Sequence, residues 1–362
     1  MRVVQLIPEL NEGGVERGVV ELNREFIKLG IDNIIISKGG RLVADILQDK
    51  GTFIPFDVCS KNIITFIPRV LRLRKILKEL KPDIVHVRSR VPAWLIYWAK
   101  KDLNIKVVST VHGFNSVGFY SSIMTKANAV ICVSNSIKEY IQKHYNISSN
   151  KITVIPRGID IELFNPNNID INFTEKFRDT FALKDKLIVS SVGRITQLKD
   201  YETLIKAIAI IKKDIENVVG LIVGGVRSDK ENYLNSLKNL IKELNLEENI
   251  IFVGSQTKIA EIYKLSDVVV SSSKKPESFG RAVAEAIVMN TPVIATNHGG
   301  VKDIILENEN GFFFEVGNEY ELANNILKAK KLSFDGYNYI SHNFYLGNMV
   351  NKTLEVYKNV EL

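Results

Sequence analysis

The stretch Pro276-Glu277-Ser278-Phe279-Gly280-Arg281-Ala282-Val283-Ala284-Glu285 decides the fold. An apolar run, Val268-Val269-Val270, precedes it and leads into Ser271-Ser272-Ser273. A helical pattern follows, then a second apolar run, Pro292-Val293-Ile294-Ala295-Thr296, and a turn, Asn297-His298-Gly299-Gly300. Strand, turn, helix, strand is a βαβ unit. Open parallel sheets bind ligands in the loops at the carboxyl ends of their strands. Glu277 lies in such a loop. Phe279 and Gly280 fall at the helix start, where free N–H groups and the positive dipole end favour oxygen-rich ligands. Glu285 comes about one and a half turns into the helix, at roughly 3.6 residues per turn. Ionised carboxylates only accept hydrogen bonds, so two of them at different depths suit a ligand with two clusters of hydroxyls. A nucleotide sugar has one cluster on the sugar and one on the ribose.

The pattern restarts twice along the chain. In the second half, Leu187-Ile188-Val189-Ser190-Ser191-Val192 reads as a strand, and Gly193-Arg194-Ile195-Thr196-Gln197-Leu198-Lys199-Asp200 is expected to open a helix. Arg194 and Lys199 would then flank one anion-binding helix end. Val219–Gly225 and Ile250–Gly254 are further strands. In the first half, Arg2–Ile7, Asn33–Ser37, Pro82–Val87, Lys106–Val111, Val130–Asn135 and the stretch from Ile152 read as strands. Gly13-Gly14 follows the first of these and lets backbone N–H groups approach a ligand without a Cβ in the way, although an ordinary tight turn would read the same. No Gly-x-Gly-x-x-Gly follows a strand, which disfavours a dinucleotide-dependent oxidoreductase.

The stretch around Glu277 and Glu285 resembles the acidic motif of retaining GT-B glycosyltransferases of family 4. Pro-Glu-x-Phe-Gly-Arg followed by a His-Gly-Gly turn makes the resemblance specific, and it spans essentially the whole chain. It implies two doubly wound, Rossmann-like α/β domains facing across a cleft. The acceptor-side domain would cover residues 1–165, joined by the last helix at about 346–362, and the donor-binding domain residues 166–345. The Asn-, Asp- and Pro-rich segment 165–170 reads as the linker.

The resemblance further implies a role for each matching residue. Glu277, with the backbone of Ser278, Phe279 and Gly280, would hold the donor sugar, and Glu285 the ribose. Arg194 and Lys199 would meet the pyrophosphate, on which negative charge builds as the glycosidic bond breaks. Val253 would lie against the base. Gly13 and Gly14 would face the donor phosphates and acceptor. His112, at a strand end, would contact the sugar and help stabilise the reacting centre; read from its position alone, it could equally be a core histidine satisfied by backbone. Family members usually carry Asn where this chain has Arg157. Arg90, in the expected loop Arg88–Trp94, is a candidate for an acceptor phosphate or carboxylate, or a solvated arginine.

The implied reaction is hexosyl transfer with retention, from a nucleoside-diphosphate sugar, with UDP the expected nucleotide, to a hydroxyl of a glycan or lipid-linked acceptor, in bacterial envelope polysaccharide or lipopolysaccharide synthesis. The leaving phosphate would serve as base. A nucleotide-sugar epimerase or hydrolase on the same scaffold, and a non-catalytic nucleotide-sugar-binding protein, stay open as alternatives. Neither a cofactor nor a metal is expected. There is no Asp-x-Asp pair, and the His and Cys residues are not at ligand spacings.

Composition sets outer bounds. The 362 residues suggest two domains, with 45% apolar and 25% charged residues, as in ordinary soluble globular proteins. Cys59 and Cys132 make no disulfide framework, the amino terminus is too short in its apolar part for a signal peptide, and no apolar run approaches a membrane span. A cytoplasmic protein is expected. The net charge of +7 divides as +9 over residues 1–165 (24 basic, 15 acidic) and −2 over the rest (24 basic, 26 acidic). That asymmetry fits an anionic partner for the first half, or plain composition bias; nucleic acid is not indicated. The segment from Phe66 to Lys81 is amphipathic, with Arg69, Arg72, Arg74, Lys75, Lys78 and Lys81 on one face. It fits a crossover helix with a solvated basic face, or peripheral contact with an anionic membrane at the inner face of the cytoplasmic membrane.

Overall fold

A computed structural model describes residues 1–11 and 13–361. The chain divides into two compact units, Met1–Gly158 with Leu346–Leu362, and Ile159–Tyr345.

The first unit holds β1 (Arg2–Leu6), β2 (Asp32–Ser37), β3 (Thr52–Pro55), β4 (Ile84–Val87), β5 (Lys106–Val111), β6 (Ala129–Cys132) and β7 (Ile152–Val154). They form one parallel sheet in the order β3-β2-β1-β4-β5-β6-β7. Both faces are covered by helices, so the central strands read as unbroken apolar runs: Val3, Val4, Leu6, Ile84, Val85 and Val87 are all buried. The helix Leu346–Glu361 belongs to this unit and lays Leu346, Val350, Val356 and Tyr357 against Val3, Leu22 and Phe26.

The second unit holds β8 (Leu187–Val192), β9 (Val218–Val223), β10 (Ile250–Gly254), β11 (Val268–Ser271), β12 (Val293–Thr296) and β13 (Gly311–Phe314). Its sheet is again parallel, in the order β10-β9-β8-β11-β12-β13. Both sheets thus reverse direction once, between β1 and β4 and between β8 and β11. At such a switch point the flanking loops splay apart and leave a crevice.

Several local expectations are revised. Residues 159–165 fall in the second unit, because the Ile159 amide donates to Phe344 O at 2.8 Å and Ile159 bridges Tyr345. The helix Phe66–Leu80 does not present all its cations to solvent. Arg69 is buried, with its guanidinium donating to Thr65 O and Asn62 O, each at 3.3 Å. Arg74 donates to Ala99 O at 3.1 Å and to Lys101 O. Arg72, Lys75, Lys78 and Lys81 remain exposed. Arg88–Trp94 is not one loop: Ser89 caps the helix Arg90–Ala99, so Arg90 is its first residue. No described helix is long and apolar enough to cross a membrane.

Candidate functional site

In the second unit, the loops after β8 and β11 flank the switch point. Lys199 Nζ lies 2.5 Å from Glu277 Oε1. The same oxygen accepts from Ser273 Oγ at 2.7 Å and Ser271 Oγ at 3.4 Å. Burial pushes the Glu277 carboxyl up, but the Lys199 charge and the hydrogen bonds from Lys199, Ser273 and Ser271 outweigh it and hold the group below its ordinary value. Glu277 is therefore ionised at neutral pH. Oε2 takes none of these three contacts.

The Glu277 loop is braced by the turn that follows β12. The Gly300 amide donates to Glu277 O at 2.7 Å, and Glu277 bridges Gly299. Gly299 has φ +75°, and a Cβ there would stand 2.4 Å from Glu277 O. At Gly300 a Cβ would stand 2.5 Å from Ser278 O. His298 Nε2 donates to Ser273 O at 2.8 Å, fixing the segment that supplies the serine. Glycine at both positions thus lets the two loops run backbone against backbone here.

Ser278 is half-buried, while Phe279 is buried against Phe344 at a ring separation of 5.9 Å. Gly280, at φ +101°, caps the helix Arg281–Val288 with no side-chain cap; its carbonyl accepts from the Val283 and Ala284 amides at 3.0 and 3.2 Å, so no cap side chain stands over the helix start. Glu285 sits within this helix, 8% exposed. Its carboxylate accepts from Arg281 Nε at 2.7 Å and from Tyr263 Oη at 3.2 Å.

After β8 the expected helix does not open at Gly193. A loop and a short turn, Gln197–Lys199, come first, and the helix is Tyr201–Lys212. The cause is Asp200, at φ +51° and buried, whose carboxylate accepts from Thr203 Oγ1 at 2.7 Å and pairs with Lys274 at 3.1 Å. Arg194 lies in that loop, exposed, with no side-chain partner among the described residues. Lys199 instead turns to Glu277 and passes over Gly193, where a Cβ would meet its Cε at 2.9 Å. Val253 is buried in β10, and its carbonyl accepts from Gln256 Nε2 at 2.6 Å.

In the first unit a cavity of about 280 Å³ opens at the switch point, lined by Ile7, Glu16, Arg88, Arg90, Thr110 and His112 among others. Gly13, at φ +153°, caps the helix Gly14–Lys28 on this side of the sheet. Arg157 Nη1 donates to Gly14 O, and Nη2 lies 3.3 Å from His112 Nδ1. His112 Nε2 is buried without a partner. Burial first, then the Arg157 and Arg88 guanidiniums, hold the ring well below its ordinary pKa, so it is neutral. Arg90 is half-buried, donates to Ser121 Oγ at 3.1 Å and Ser116 Oγ at 3.3 Å, and stacks 5.3 Å from the Tyr120 ring.

The second unit thus gathers Lys199, Glu277, Ser278, Phe279 and Gly280 at one switch point. The first gathers His112, Gly14 and Arg90 at the other. Sequence reasoning gave no role to Ser271 and Ser273, to Arg281 and Tyr263, or to Arg88. The Ser-Ser-Ser run at a strand's carboxyl end is the one signal that pointed to the first pair. Among the described residues no group of three or more His, Cys, Asp and Glu side chains is placed to hold a metal ion.

Comparison with known proteins adds to this geometry. The family model described as glycosyl transferases group 1 matches residues 172–344, and that of glycosyltransferase family 4 matches residues 12–163. A crystal structure of a glycosyltransferase from Rickettsia africae superposes with a TM-score of 0.90 at 33% identity, covering 99% of this chain and 98% of that one. HepE of Anabaena, solved with UDP-glucose, shares the fold at a TM-score of 0.86 and 20% identity, over 99% of this chain and 100% of that one. The Escherichia coli UDP-Gal:alpha-D-GlcNAc-diphosphoundecaprenol alpha-1,3-galactosyltransferase is 28% identical over 348 residues, 90% of this chain and 86% of that protein. The N-acetyl-alpha-D-glucosaminyl L-malate synthase of Bacillus anthracis is 25% identical over 333 residues, 87% of this chain and 84% of that protein. Matched in both halves and along its full length, the chain belongs to the GT-B glycosyltransferases of the family 4 type.

Proposed function

We propose that this glycosyltransferase moves a hexosyl group, with retention and without a metal ion, from a UDP-sugar to a hydroxyl of a lipid-linked or glycan acceptor of the bacterial envelope. The observation that carries the reading is the Lys199–Glu277 pair at the second switch point. A cation suited to a diphosphate and a carboxylate suited to sugar hydroxyls are held side by side at the end of one sheet. Arg194, exposed in the same loop after β8 that carries Lys199, supplies the second cation for the leaving group. Glu277 and the Ser278–Gly280 backbone hold the sugar, Glu285 the ribose, and the backbone near Val253 the base.

His112, neutral and with an unclaimed Nε2, has a hydrogen bond to give to the transferred sugar. The leaving phosphate takes the acceptor proton. The Escherichia coli relative, whose name gives a UDP-linked donor and a diphosphoundecaprenol acceptor, supports both substrate classes. Peripheral contact with an anionic membrane fits the exposed Ile67 and Leu71 beside Arg72, Lys75 and Lys78.

The test is turnover of a panel of UDP- and GDP-sugars with chelator present, with the anomeric configuration of the product read by NMR. Arg194→Ala and Lys199→Ala should each slow transfer by at least ~10²-fold, as loss of a single electrostatic donor does elsewhere. Full turnover in either variant, an inverted product, or dependence on added metal would count against the reading.

A further inference from the structure

We propose that the cavity at the first switch point is a phosphate site for the acceptor, and that Arg88 is the side chain that holds the phosphoryl group. This rests on the transfer reading above. The donor's phosphates are served by Arg194 and Lys199 in the second unit, so a further cation site implies a further anion.

Arg88 follows β4 and lines the cavity of about 280 Å³. Its Nη2 donates to Gln5 Oε1 at 2.5 Å and its Nη1 reaches Thr110 Oγ1 at 3.5 Å. Both acceptors are neutral. They belong to a buried polar chain in which Gln5 continues to Asn33, and Thr110 to His86 and Tyr357. His86 is itself held neutral by burial, then by Arg88 and His112. No carboxylate among the described residues pairs with Arg88; Glu16 lines the same cavity without forming an ion pair to it.

Arg88 Nε is buried with no partner at all. Burial pulls the guanidinium down to about 10, partly offset by Tyr357. A half-buried cation with only neutral partners and one buried, unclaimed N–H is a costly arrangement unless an anion completes it. A guanidinium presents a planar fork of donors that matches phosphate oxygens. Arg90, which lines the same cavity, supplies further donors to a tetrahedral anion. A phosphoryl group on the acceptor fits this set, and its hydroxyl-bearing sugar would extend from it.

The test uses the full chain with UDP at saturation, so that the donor's own phosphate site is filled. Two probes are titrated: inorganic phosphate, and phosphatidylcholine vesicles with and without phosphatidic acid. The wild type should bind at least one. Binding only to the phosphatidic acid vesicles points to a lipid-borne phosphate; binding of inorganic phosphate, with or without the vesicles, shows that the phosphoryl group alone suffices and points to a soluble phosphorylated acceptor. Either supports the site. Arg88→Gln should weaken that binding roughly tenfold or more, with UDP affinity unchanged. Ser89→Asp keeps Arg88 but sets a carboxylate at the cavity wall, and should abolish the binding equally. The second variant decides the matter if the first does not fold. Phosphate bound as tightly by a folded Arg88→Gln, or by Ser89→Asp, overturns the proposal, as does a wild type that binds neither probe. Failure of the wild type to bind UDP would instead strike the transfer reading itself.

Discussion

Arg157 Nη2 lies 3.3 Å from His112 Nδ1, and this one contact decides which nitrogen of the ring carries the proton. Arginine only donates, so Nδ1 must accept and Nε2 must bear the hydrogen. That hydrogen is the unclaimed donor beside the first-unit cavity. Family members usually carry Asn at this position, so Arg157→Asn asks what the guanidinium adds. It should remove one of the charges that hold the His112 pKa down and free the tautomer. The acid limb of the kcat/KM profile should then move to higher pH, toward the ordinary histidine value of about 6.5. Nitrogen NMR of the labelled imidazole should show both tautomers. An unmoved acid limb would show that Arg157 does not act through His112.

Gly299 tests the brace behind Glu277. At φ +75° a non-glycine residue costs about 1–2 kcal/mol on conformation alone. A Cβ 2.4 Å from Glu277 O adds a clash that can be relieved only by moving the loop. Gly299→Ala should lower stability by about 1–3 kcal/mol in urea titration and lower kcat with it, because Glu277 leaves Lys199. Gly317→Ala offers the contrast: its φ is +78°, but nothing stands within 4 Å of the added Cβ. A similar loss of stability with activity kept is expected there. Equal effects on activity would mean that strain, and not the loop contact, is what matters.

Glu285 sits in a different environment from Glu277, and its pairing with Arg281 and Tyr263 sets the next expectation. Glu285→Ala strands both donors in a largely buried site and should cost about 3–5 kcal/mol at most. Glu285→Gln keeps an acceptor and should cost less. An ionised carboxylate has about four lone-pair sites, so the two protein donors leave room for a ribose hydroxyl. UDP affinity should therefore fall in the Gln variant beyond what its stability explains. Unchanged UDP affinity alongside a lowered Tm would assign Glu285 to holding the helix Arg281–Val288 alone.

The strands were legible because parallel sheets bury both faces, which turns β1, β4, β8, β9 and β11 into plain apolar runs. The edge strands β3 (Thr52–Pro55) and β13 (Gly311–Phe314) were not, since β3 is only partly buried and no full helix precedes β13 to mark it as another βα repeat. Glu277, Lys199 and the His-Gly-Gly turn stood out because only certain residues suit those positions. The contacts among them were not legible. Lys199 lies 78 residues from Glu277, and its approach depends on Asp200 delaying the helix, a local choice visible only in the backbone. Arg69 reads as a surface cation by periodicity, yet the fold buries it because carbonyls of its own first turn and of Asn62 receive it. Arg88 escaped notice for the opposite reason: its role lies in the absence of a carboxylate nearby, and a sequence does not show absences in space.

His86 links the sheet of the first unit to the last helix, and this makes stability depend on pH in a definite direction. Its Nδ1 meets Tyr357 Oη at 2.5 Å and its Nε2 meets Thr110 Oγ1 at 2.6 Å. Burial, then Arg88 and His112, hold it well below its ordinary value, and His112 is shifted the same way. In the unfolded chain both titrate near 6.5. Below that pH the unfolded state takes up protons that the folded state refuses, so folding stability falls as pH falls. The slope is about 1.4 kcal/mol per pH unit for each histidine, until the folded-state value is reached. Above about pH 6.5 neither group contributes a slope. Acidification from about pH 7 to about pH 5.5 should therefore lower the urea midpoint of the first unit, followed by hydrogen exchange in β4 and β5. His86→Asn keeps a donor and an acceptor between Tyr357 and Thr110 but cannot take a proton. It should start less stable at neutral pH and lose less on acidification. If the variant and the wild type lose stability in parallel, His86 is not the group that titrates.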